Sequence, residues 1–366
     1  MNRRFLFIIN QNMAPIGTRE SLEKYFQEHG QYNHIYEPTA TIDDVRKQIA
    51  SHLHEIDGIV AYGGDGTFHH ALNAVNELAE HPDRGRRVSL GDLVFGALCG
   101  GGTGNDIGKA LKMGDTRKEI SKGKEPQSLK PIVESSVNDD YIRAFDFGYC
   151  ELQGQKRRVF FFNIFGVGYD AYVAKRAKEL KERYLKSMPG FARFSYFLGA
   201  LISLFSYRPV GVKSLRINDI PVEVNEKVFM MALMNSQIAG GGLTLNPYGT
   251  MDDRALELII LGDFSELISK PGLVGLLVGA FFGKPNIHHP KVRYINNRDW
   301  DNEGRMDSQV PLNPEKQAIQ KVKVEFEERV FCEADGDIMP DTDGYDANLC
   351  PYQLRVITGN KKSCNR

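Results

Sequence analysis

Short apolar runs alternate with amphipathic segments through the first third of the chain. Arg4–Ile9 is an apolar run with the length of a buried strand. Thr18–His29 follows, and it places Leu22, Tyr25 and Phe26 on one helical face. This pattern predicts a strand followed by a helix.

The same alternation continues as far as residue 98. Tyr32–Tyr36 predicts a second strand, and Thr41 begins a second helix as a capping box with Asp44. Asp57–Tyr62 and Asp92–Leu98 predict two more strands, each followed by glycines and a helix. Strands that alternate with helices indicate a parallel, doubly wound α/β sheet, whose ligands bind at the carboxyl ends of the strands.

The pattern changes near Tyr141, where strand-like segments follow one another, mostly without helices between them. The predicted strands are Arg143–Cys150, Arg158–Gly166, Val212–Asn218, Glu226–Met234, Ala255–Leu261, Lys291–Ile295 and Val322–Phe331. Lys175–Tyr184 is a helical interruption, and Arg298–Gln317 reads as an exposed loop. These segments predict a second, mainly β domain of the sandwich type. The expected domains are residues 1–140, residues 141–350 and a C-terminal segment, 351–366, that returns to either domain.

Composition and charge exclude several classes of protein. The 366 residues carry 46 basic and 47 acidic side chains, so no positive field recruits nucleic acid. The five cysteines form no CxxC pair, which argues against a disulfide scaffold or zinc ribbon and suits a cytosolic protein. No export segment is expected. Phe194–Tyr207 and Pro271–Gly283 are uncharged but too short to span a bilayer, so each is either a buried helix or a surface that meets lipid.

Two glycine-rich segments carry the clearest chemistry. Gly63–Thr67 and Gly100–Asp106 each follow a predicted strand and open a helix, and both contain Thr and Asp. Glycines let the backbone approach a bound group, and the helix N-terminus favours an anion. Asp65 would repel a bare phosphate, so it suggests a metal or water bridge to a triphosphate. The alternative is a pair of tight turns capped by these side chains.

Further motifs lie in the second predicted domain, in a constant order along the chain. They are Phe162–Ala171, Asn235 with Gly240–Gly242, Asn246-Pro247 with Asp252-Asp253, and Asp335-Gly336-Asp337. Together with Gly63–Thr67, the downstream Asn73 and Gly102–Asp106, they resemble the motifs of the diacylglycerol kinase catalytic family. This family includes bacterial lipid kinases, sphingosine kinases and ceramide kinases. The resemblance covers nearly the whole chain.

The resemblance implies an enzyme that transfers the γ-phosphate of ATP to a hydroxyl of diacylglycerol or a similar lipid, giving phosphatidic acid from diacylglycerol. It also implies a cytoplasmic protein in peripheral contact with the membrane surface. The nucleotide-binding residues that it implies are Asn10, Thr39, Gly63, Gly64, Asp65, Gly66, Thr67, Gly102, Thr103 and Asn105. The alternatives are a kinase of sphingoid bases, ceramide or another glycerolipid, and a pseudokinase that binds nucleotide or lipid. The oligomeric state is left open.

The resemblance also implies the catalytic and metal-binding residues. Asp337 takes the position of the general base, and Asp65 is the second catalytic residue. Asp65, Asp106 and Asp146 match acidic positions that organise Mg²⁺ near the phosphates, and Asp253 matches a structural Mg²⁺ ligand, helped by the carbonyls of Thr250 and Ala255.

The chain departs from the family pattern at four positions. Asp337 stands where the family has Glu, His70 also replaces a Glu, Arg254 replaces a Gly and Gln11 replaces a Pro. The first two departures favour the pseudokinase alternative. If Asp337 is not a base, its expected role is that of a turn carboxylate in an acidic loop with Asp341 and Asp343.

Overall fold

A computed structural model describes residues 2–80, 88–100, 104–121, 126–184, 206–247, 249–263, 292–295 and 318–361. The chain divides into two compact units. The first contains residues 1–145 and 352–366, and the second contains residues 146–351. Each unit has its own main β-sheet.

The bounds of the elements in the described residues are as follows. The strands are β1 Phe5–Asn10, β2 Ile35–Thr39, β3 Gly58–Gly63, β4 Val94–Cys99, β5 Ile142–Phe145, β6 Gly148–Leu152, β7 Arg158–Phe161, β8 Ile164–Gly168, β9 Val212–Ile217, β10 Ile220–Val222, β11 Val228–Met234, β12 Ile238–Ala239, β13 Leu243–Thr244, β14 Glu257–Gly262, β15 Val292–Ile295, β16 Lys321–Ala334, β17 Asp337–Leu349 and β18 Leu354–Ile357. The α-helices are α1 Thr18–Glu28, α2 Ile42–His52, α3 Asp65–Glu80, α4 Asp106–Ala110, α5 Thr116–Ser121, α6 Lys130–Val137 and α7 Tyr169–Tyr184, and short 3₁₀ turns span Leu90–Asp92 and Gln127–Leu129.

The first unit is built on a sheet with the strand order β2-β1-β3-β4-β18-β5. Every neighbouring pair is parallel except β18 with β5. Residues of β3 and β4 are buried along their whole length, as expected for strands covered on both faces. The predicted parallel α/β sheet is therefore confirmed, and β18 brings the C-terminal part of the chain into it.

The predicted start of α2 is confirmed in atomic detail. The Thr41 hydroxyl accepts a hydrogen bond from the Asp44 backbone N–H at 3.1 Å. The Asp44 carboxylate in turn accepts one from the Thr41 N–H at 2.9 Å. This reciprocal capping box fixes the point where the chain leaves β2 and enters the helix.

The second unit is an antiparallel β-structure with the strand order β15-β14-β11-β8-β16-β17-β6-β7. The long strand β16 also pairs with β9 through Val322–Phe326, whereas Cys332–Ala334 pairs with β8. Register shifts separate these two halves, so β16 changes partner along its length. Side chains of β8, β9, β11, β14 and β16 share one buried apolar cluster. The predicted β-sandwich is confirmed.

Helix α7 follows β8 directly and lies on the second unit. Tyr169 stacks on Phe229 of β11 with ring centroids 4.5 Å apart. No helix among the described residues is long and apolar enough to cross a membrane. Pro271–Gly283, Arg298–Gln317 and all but the last two residues of Phe194–Tyr207 lie outside the described residues.

Three predictions of strands and loops were wrong. Arg158–Gly166 is not one strand but two, β7 and β8, which pair with different neighbours. Arg143–Cys150 is not one strand, because the chain leaves the sheet of the first unit after β5 and begins β6 in the second unit. The Asp146 N–H donates to the carbonyl of Met251 at this break. The acidic segment that includes Asp341 and Asp343 is not a loop but strand β17, which pairs with both β16 and β6.

Candidate active site

The first glycine segment forms the turn between β3 and α3. A Cβ atom at Gly63 would overlap with the Thr67 hydroxyl, so the packing of Thr67 against the turn requires glycine there. The Thr67 N–H donates to the carbonyl of Gly64 at 3.0 Å. The Asn10 side-chain amide, at the end of β1, donates to the Thr67 hydroxyl at 3.2 Å. These predicted nucleotide-binding residues lie together at the carboxyl ends of neighbouring strands.

Gly66 leaves the backbone open on one side of this turn. A Cβ atom built at Gly66 would meet no atom of the described residues within 4 Å. Gly66 is also in the first turn of the sixteen-residue helix α3, whose N-terminus carries partial positive charge. A phosphate can approach such a backbone without displacing protein atoms.

Asp65 links the first glycine turn to the second. Its carboxylate accepts hydrogen bonds from the backbone N–H groups of Asp106 and Ile107, at 3.0 and 2.9 Å. Asp65 therefore caps α4 in addition to opening α3. The sequence offered no local signal for this contact, because the partners are more than 40 positions apart.

The second turn supplies further oxygen atoms near Asp65. A Cβ atom at Gly104 would lie 3.0 Å from an oxygen of Asp106 and 3.2 Å from one of Asp65, so both carboxylates border the same small space. Asn105 adopts a left-handed conformation with φ of 50°. Its side-chain oxygen is buried and has no hydrogen-bond partner among the described residues. Two carboxylates and an amide oxygen are ligands that suit Mg²⁺.

The remaining predicted nucleotide contacts are Thr39, which the structure describes, and Gly102 and Thr103, which it does not. Thr39 is buried at the end of β2, and its hydroxyl donates to the carbonyl of Ile9 at 3.4 Å. Gly102 and Thr103 lie outside the described residues.

Asp337 is the first residue of β17, directly after the two-residue hairpin turn Asp335-Gly336. Asp335 and Gly336 have φ values of 50° and 84°, the pattern of a type I′ turn, and Ala334 pairs with Asp337 across it. An Asp-Gly pair between two strands is a strong local signal for such a hairpin. The turn holds Asp337 on a strand end rather than on a loose loop.

Asp335 anchors this hairpin to the turn between β7 and β8. Its buried carboxylate accepts three backbone N–H groups, from Phe162, Asn163 and Ile164, at 2.9, 2.7 and 3.1 Å. Three hydrogen bonds to a carboxylate fix its position strongly. The first Asp of the Asp-Gly-Asp segment is thus a positioning residue.

Glu333 precedes the hairpin and is buried, with 2% of its surface exposed. Its carboxyl group accepts a hydrogen bond from the Gly336 N–H at 2.6 Å. Burial raises the pKa of Glu333 well above its ordinary value, and the neighbouring Asp170 carboxylate raises it further, against the opposing effect of the Gly336 N–H. A Cβ atom at Gly166 would meet both carboxyl groups, which confirms that they are neighbours. The fold therefore favours the protonated form of Glu333.

Replacing Glu333 with glutamine removes a pH dependence of stability. The folded protein keeps this proton as pH rises above the ordinary glutamate value of about 4.3, whereas the unfolded chain releases it. Wild-type stability therefore falls as pH rises from that value towards the raised pKa of the folded state. We expect Glu333→Gln, which imitates the protonated acid, to gain stability relative to wild type when the pH is raised from about 5 to about 8.

Urea unfolding of both proteins at the two pH values measures this difference. Glu328→Gln, on the exposed part of the same strand, is the control and should show no such gain. Parallel pH profiles for wild type and Glu333→Gln would show that Glu333 is ionised in the folded protein.

The motif asparagines of the second unit form buried hydrogen bonds. The Asn235 amide donates to the carbonyls of Asp146 and Phe162, at 2.7 and 2.8 Å. The Asn246 amide donates to the carbonyl of Ser236 and to the Glu257 carboxylate, at 3.1 and 3.0 Å. Asn235 thereby holds Phe162, whose N–H donates to the Asp335 carboxylate.

Asp146 is fully buried and bound by Arg254. One carboxylate oxygen accepts the Arg254 backbone N–H at 2.6 Å, and the other accepts its guanidinium at 2.8 Å. A divalent ion at Asp146 would have to displace this guanidinium, so Asp146 does not fit the predicted role in organising Mg²⁺. Asp253, Thr250 and Ala255 lie in the same turn before β14, and their binding of a structural ion stays a prediction.

Family models match both parts of the chain. Residues 4–133 match the model described as the diacylglycerol kinase catalytic domain. Residues 163–316 match the model described as the YegS C-terminal NAD kinase beta sandwich-like domain. The two matches together take in most of the chain. The chain belongs to the diacylglycerol kinase catalytic family.

Curated members of this family are distant from the chain. A Bacillus subtilis protein with the name diacylglycerol kinase is 27% identical over 257 residues, which are 68% of this chain and 71% of that protein. YtlR of Bacillus subtilis and a YegS-like protein of Chromohalobacter salexigens, both with lipid kinase names, are 24% and 25% identical, each over 57% of this chain. The matched regions span only 59% and 55% of those two relatives.

Solved structures from this family have the same fold. A diacylglycerol kinase structure from Bacillus anthracis has a TM-score of 0.58 at 14% identity, covering 98% of this chain and 97% of that one. A second Bacillus anthracis structure has a TM-score of 0.64 at 16% identity, covering 98% of both chains. At such identities the likeness shows the fold alone.

Proposed function

We propose that the protein transfers the γ-phosphate of ATP to a hydroxyl group of a lipid alcohol. The observation that carries this proposal is the match of residues 4–133 to the diacylglycerol kinase catalytic domain, with the glycine turn of that region at the carboxyl end of a parallel sheet. Parallel α/β sheets bind ligands at this edge.

The first unit is proposed to bind the phosphates of ATP. The N-terminus of α3 supplies partial positive charge, and the open side of Gly66 lets a phosphate reach backbone N–H groups. Asn10 and Thr67, which bond to each other, support this turn from the neighbouring strand. The second turn is held against the first by Asp65, so one ligand can touch both.

Asp337 is proposed to act as the general base. In the reaction the acceptor hydroxyl oxygen forms a bond to the γ-phosphorus, the bond from that phosphorus to the β-bridging oxygen breaks, and ADP leaves. The hydroxyl proton goes to the Asp337 carboxylate. Phosphoryl transfer depends mainly on alignment and charge neutralisation, and the type I′ hairpin supplies the alignment on the side of Asp337.

Mg²⁺ is proposed to bind with the nucleotide beside Asp65, Asp106 and Asn105, whose oxygen atoms fit such an ion. When bound, Mg²⁺ neutralises charge on the phosphate oxygens and on the departing ADP. Asp65 also has a structural role, because its carboxylate joins the two glycine turns through the N–H groups of Asp106 and Ile107.

Diacylglycerol is the proposed acceptor, and phosphatidic acid the product. A relative named diacylglycerol kinase favours this lipid, and the family also includes enzymes with other acceptors. Radiolabelled ATP in mixed micelles tests the proposal against a panel of diacylglycerol, monoacylglycerol, sphingosine and ceramide. We expect the greatest label transfer to diacylglycerol. Greater transfer to sphingosine or ceramide would assign a sphingolipid acceptor instead.

Peripheral membrane contact follows from a water-insoluble acceptor, and we propose it for this chain. Flotation of the protein with phosphatidylglycerol vesicles that contain diacylglycerol tests it. Bound protein should float with the vesicles and stay at the bottom of the gradient without them. Protein that stays at the bottom with vesicles present would contradict membrane contact.

A further inference from the structure

Arg254 occupies a turn position that favours glycine. Its φ is 60°, in the left-handed region that side chains with a Cβ atom rarely adopt. The resemblance predicts glycine at this position and a structural Mg²⁺ ion in the same turn. An arginine retained at such a position needs a compensating interaction.

The compensation is a set of hydrogen bonds made by the Arg254 side chain and backbone. The guanidinium donates to the Asp146 carboxylate at 2.8 Å and to the carbonyl of Cys350 at 2.9 Å. The backbone N–H donates to the other Asp146 oxygen, and the backbone carbonyl accepts from the Gln320 amide. Arg254 is thereby bound to three separate segments of the second unit.

Two of these segments are the places where the chain enters and leaves the second unit. The unit begins at Asp146 and ends at Pro351, one residue after Cys350. Asp146 has no exposed surface, whereas the Arg254 side chain keeps 40% of its own. A fully buried carboxylate is costly unless a positive group or several donors compensate it, and Arg254 supplies both.

We propose that the Arg254 guanidinium replaces the structural divalent cation that the resemblance predicts in this turn, and that it clamps the two ends of the second unit without metal. The planar fork of arginine can bind a carboxylate and a carbonyl at once. This proposal concerns stability and does not depend on the proposed kinase activity. It also competes directly with the prediction that Asp253 binds a structural Mg²⁺ ion.

Thermal unfolding with and without Mg²⁺ tests the clamp. We expect the wild-type melting temperature to be the same in EDTA and in millimolar MgCl₂. We expect Arg254→Gly to melt at least about 6 °C lower in EDTA, because it removes the positive charge beside a buried carboxylate. MgCl₂ should restore part of that loss, since an ion that binds the vacated position stabilises the folded state, and NaCl of equal ionic strength should not.

Three further variants complete the design. Asp219→Gly removes an exposed ion pair at another left-handed position of this unit, so it is the matched control and should show neither the loss nor the rescue. Asp146→Asn combined with Arg254→Gly removes the buried charge, and it should lose the Mg²⁺ rescue. Asp253→Asn should leave the wild-type response to Mg²⁺ unchanged.

Two results would overturn the proposal. One is a wild-type melting temperature that rises with Mg²⁺ and stops doing so in Asp253→Asn, which would show a structural metal site despite Arg254. The other is an Arg254→Gly protein that Mg²⁺ does not stabilise. That result would show that Arg254 and Asp146 form an ordinary ion pair and that the guanidinium does not replace a cation. If Arg254→Gly does not fold in EDTA, its refolding in MgCl₂ would support the rescue, and its failure to refold there would contradict the proposal.

Discussion

Asp337→Asn is expected to lose lipid phosphorylation at least about a hundredfold while ATP affinity changes only a fewfold. A positioned carboxylate that accepts the hydroxyl proton contributes about 10²–10⁴ to such a reaction. The amide keeps the shape of the side chain and cannot accept that proton. Steady-state rates with a micellar lipid acceptor, together with ATP binding by calorimetry, separate the chemical step from binding.

Asp341→Asn is the matched control for this prediction, because Asp341 lies on the same strand β17. It should keep nearly full activity. Near-wild-type turnover of Asp337→Asn would remove Asp337 from the mechanism. Asp335 could not simply replace Asp337 as the general base, since its carboxylate is held by three backbone N–H groups.

Asp337→Glu reports how the active site has adapted to the shorter acid. The family has Glu at this position, and Asp337 is fixed at the end of a tight hairpin. A gain in turnover would mean that the natural side chain falls short of the hydroxyl. A loss would mean that the surroundings fit Asp. Either change is expected to act on the maximal rate rather than on ATP affinity.

Gly66→Val is expected to weaken ATP binding at least about a hundredfold. A Cβ atom at Gly66 meets no other described atom within 4 Å, so we expect the valine side chain to block a phosphate while the protein still folds. Loss of two charge-assisted hydrogen bonds, each of about 1.5–3 kcal/mol, accounts for this magnitude. Calorimetric titration measures the affinity, and an unchanged melting temperature shows that the variant is folded.

Gly91→Ala is the control for the Gly66 variant. Gly91 lies in the 3₁₀ turn before β4, at the opposite end of that strand from the glycine turns, and a Cβ atom there would make only ordinary contacts at 3.7 Å. This variant should bind ATP like wild type. Unchanged ATP affinity in a folded Gly66→Val protein would exclude phosphate from this turn.

The sequence predicts the first unit well because its signals are local. Apolar runs such as Phe5–Asn10 are strands buried on both faces, and the capping box of Thr41 and Asp44 marks a helix start that the structure confirms. The glycine turn after β3 is predicted for the same reason, since strand, turn and helix are contiguous.

The second unit is harder to predict because its contacts join distant positions. Strand β17 carries four aspartates, so its sequence resembles a polar loop and did not predict its pairing with β16 and β6. Arg254 and Asp146 are 108 positions apart, and Asp335 binds backbone groups more than 170 positions away. No local sequence pattern predicts such contacts. The raised pKa of the buried Glu333 likewise depends on the fold around it, because burial and the distant Asp170 cause it.

Transfer of label from ATP to lipid tests the central claim most directly. Wild type and Asp337→Asn are each incubated with diacylglycerol in mixed micelles and with ATP labelled at either the γ- or the α-phosphorus. The proposed kinase predicts that γ-label enters the lipid with wild type, that α-label does not, and that Asp337→Asn transfers at least about a hundredfold less. ATP binding without γ-label in any lipid of the panel would contradict the kinase and identify a nucleotide-binding pseudokinase.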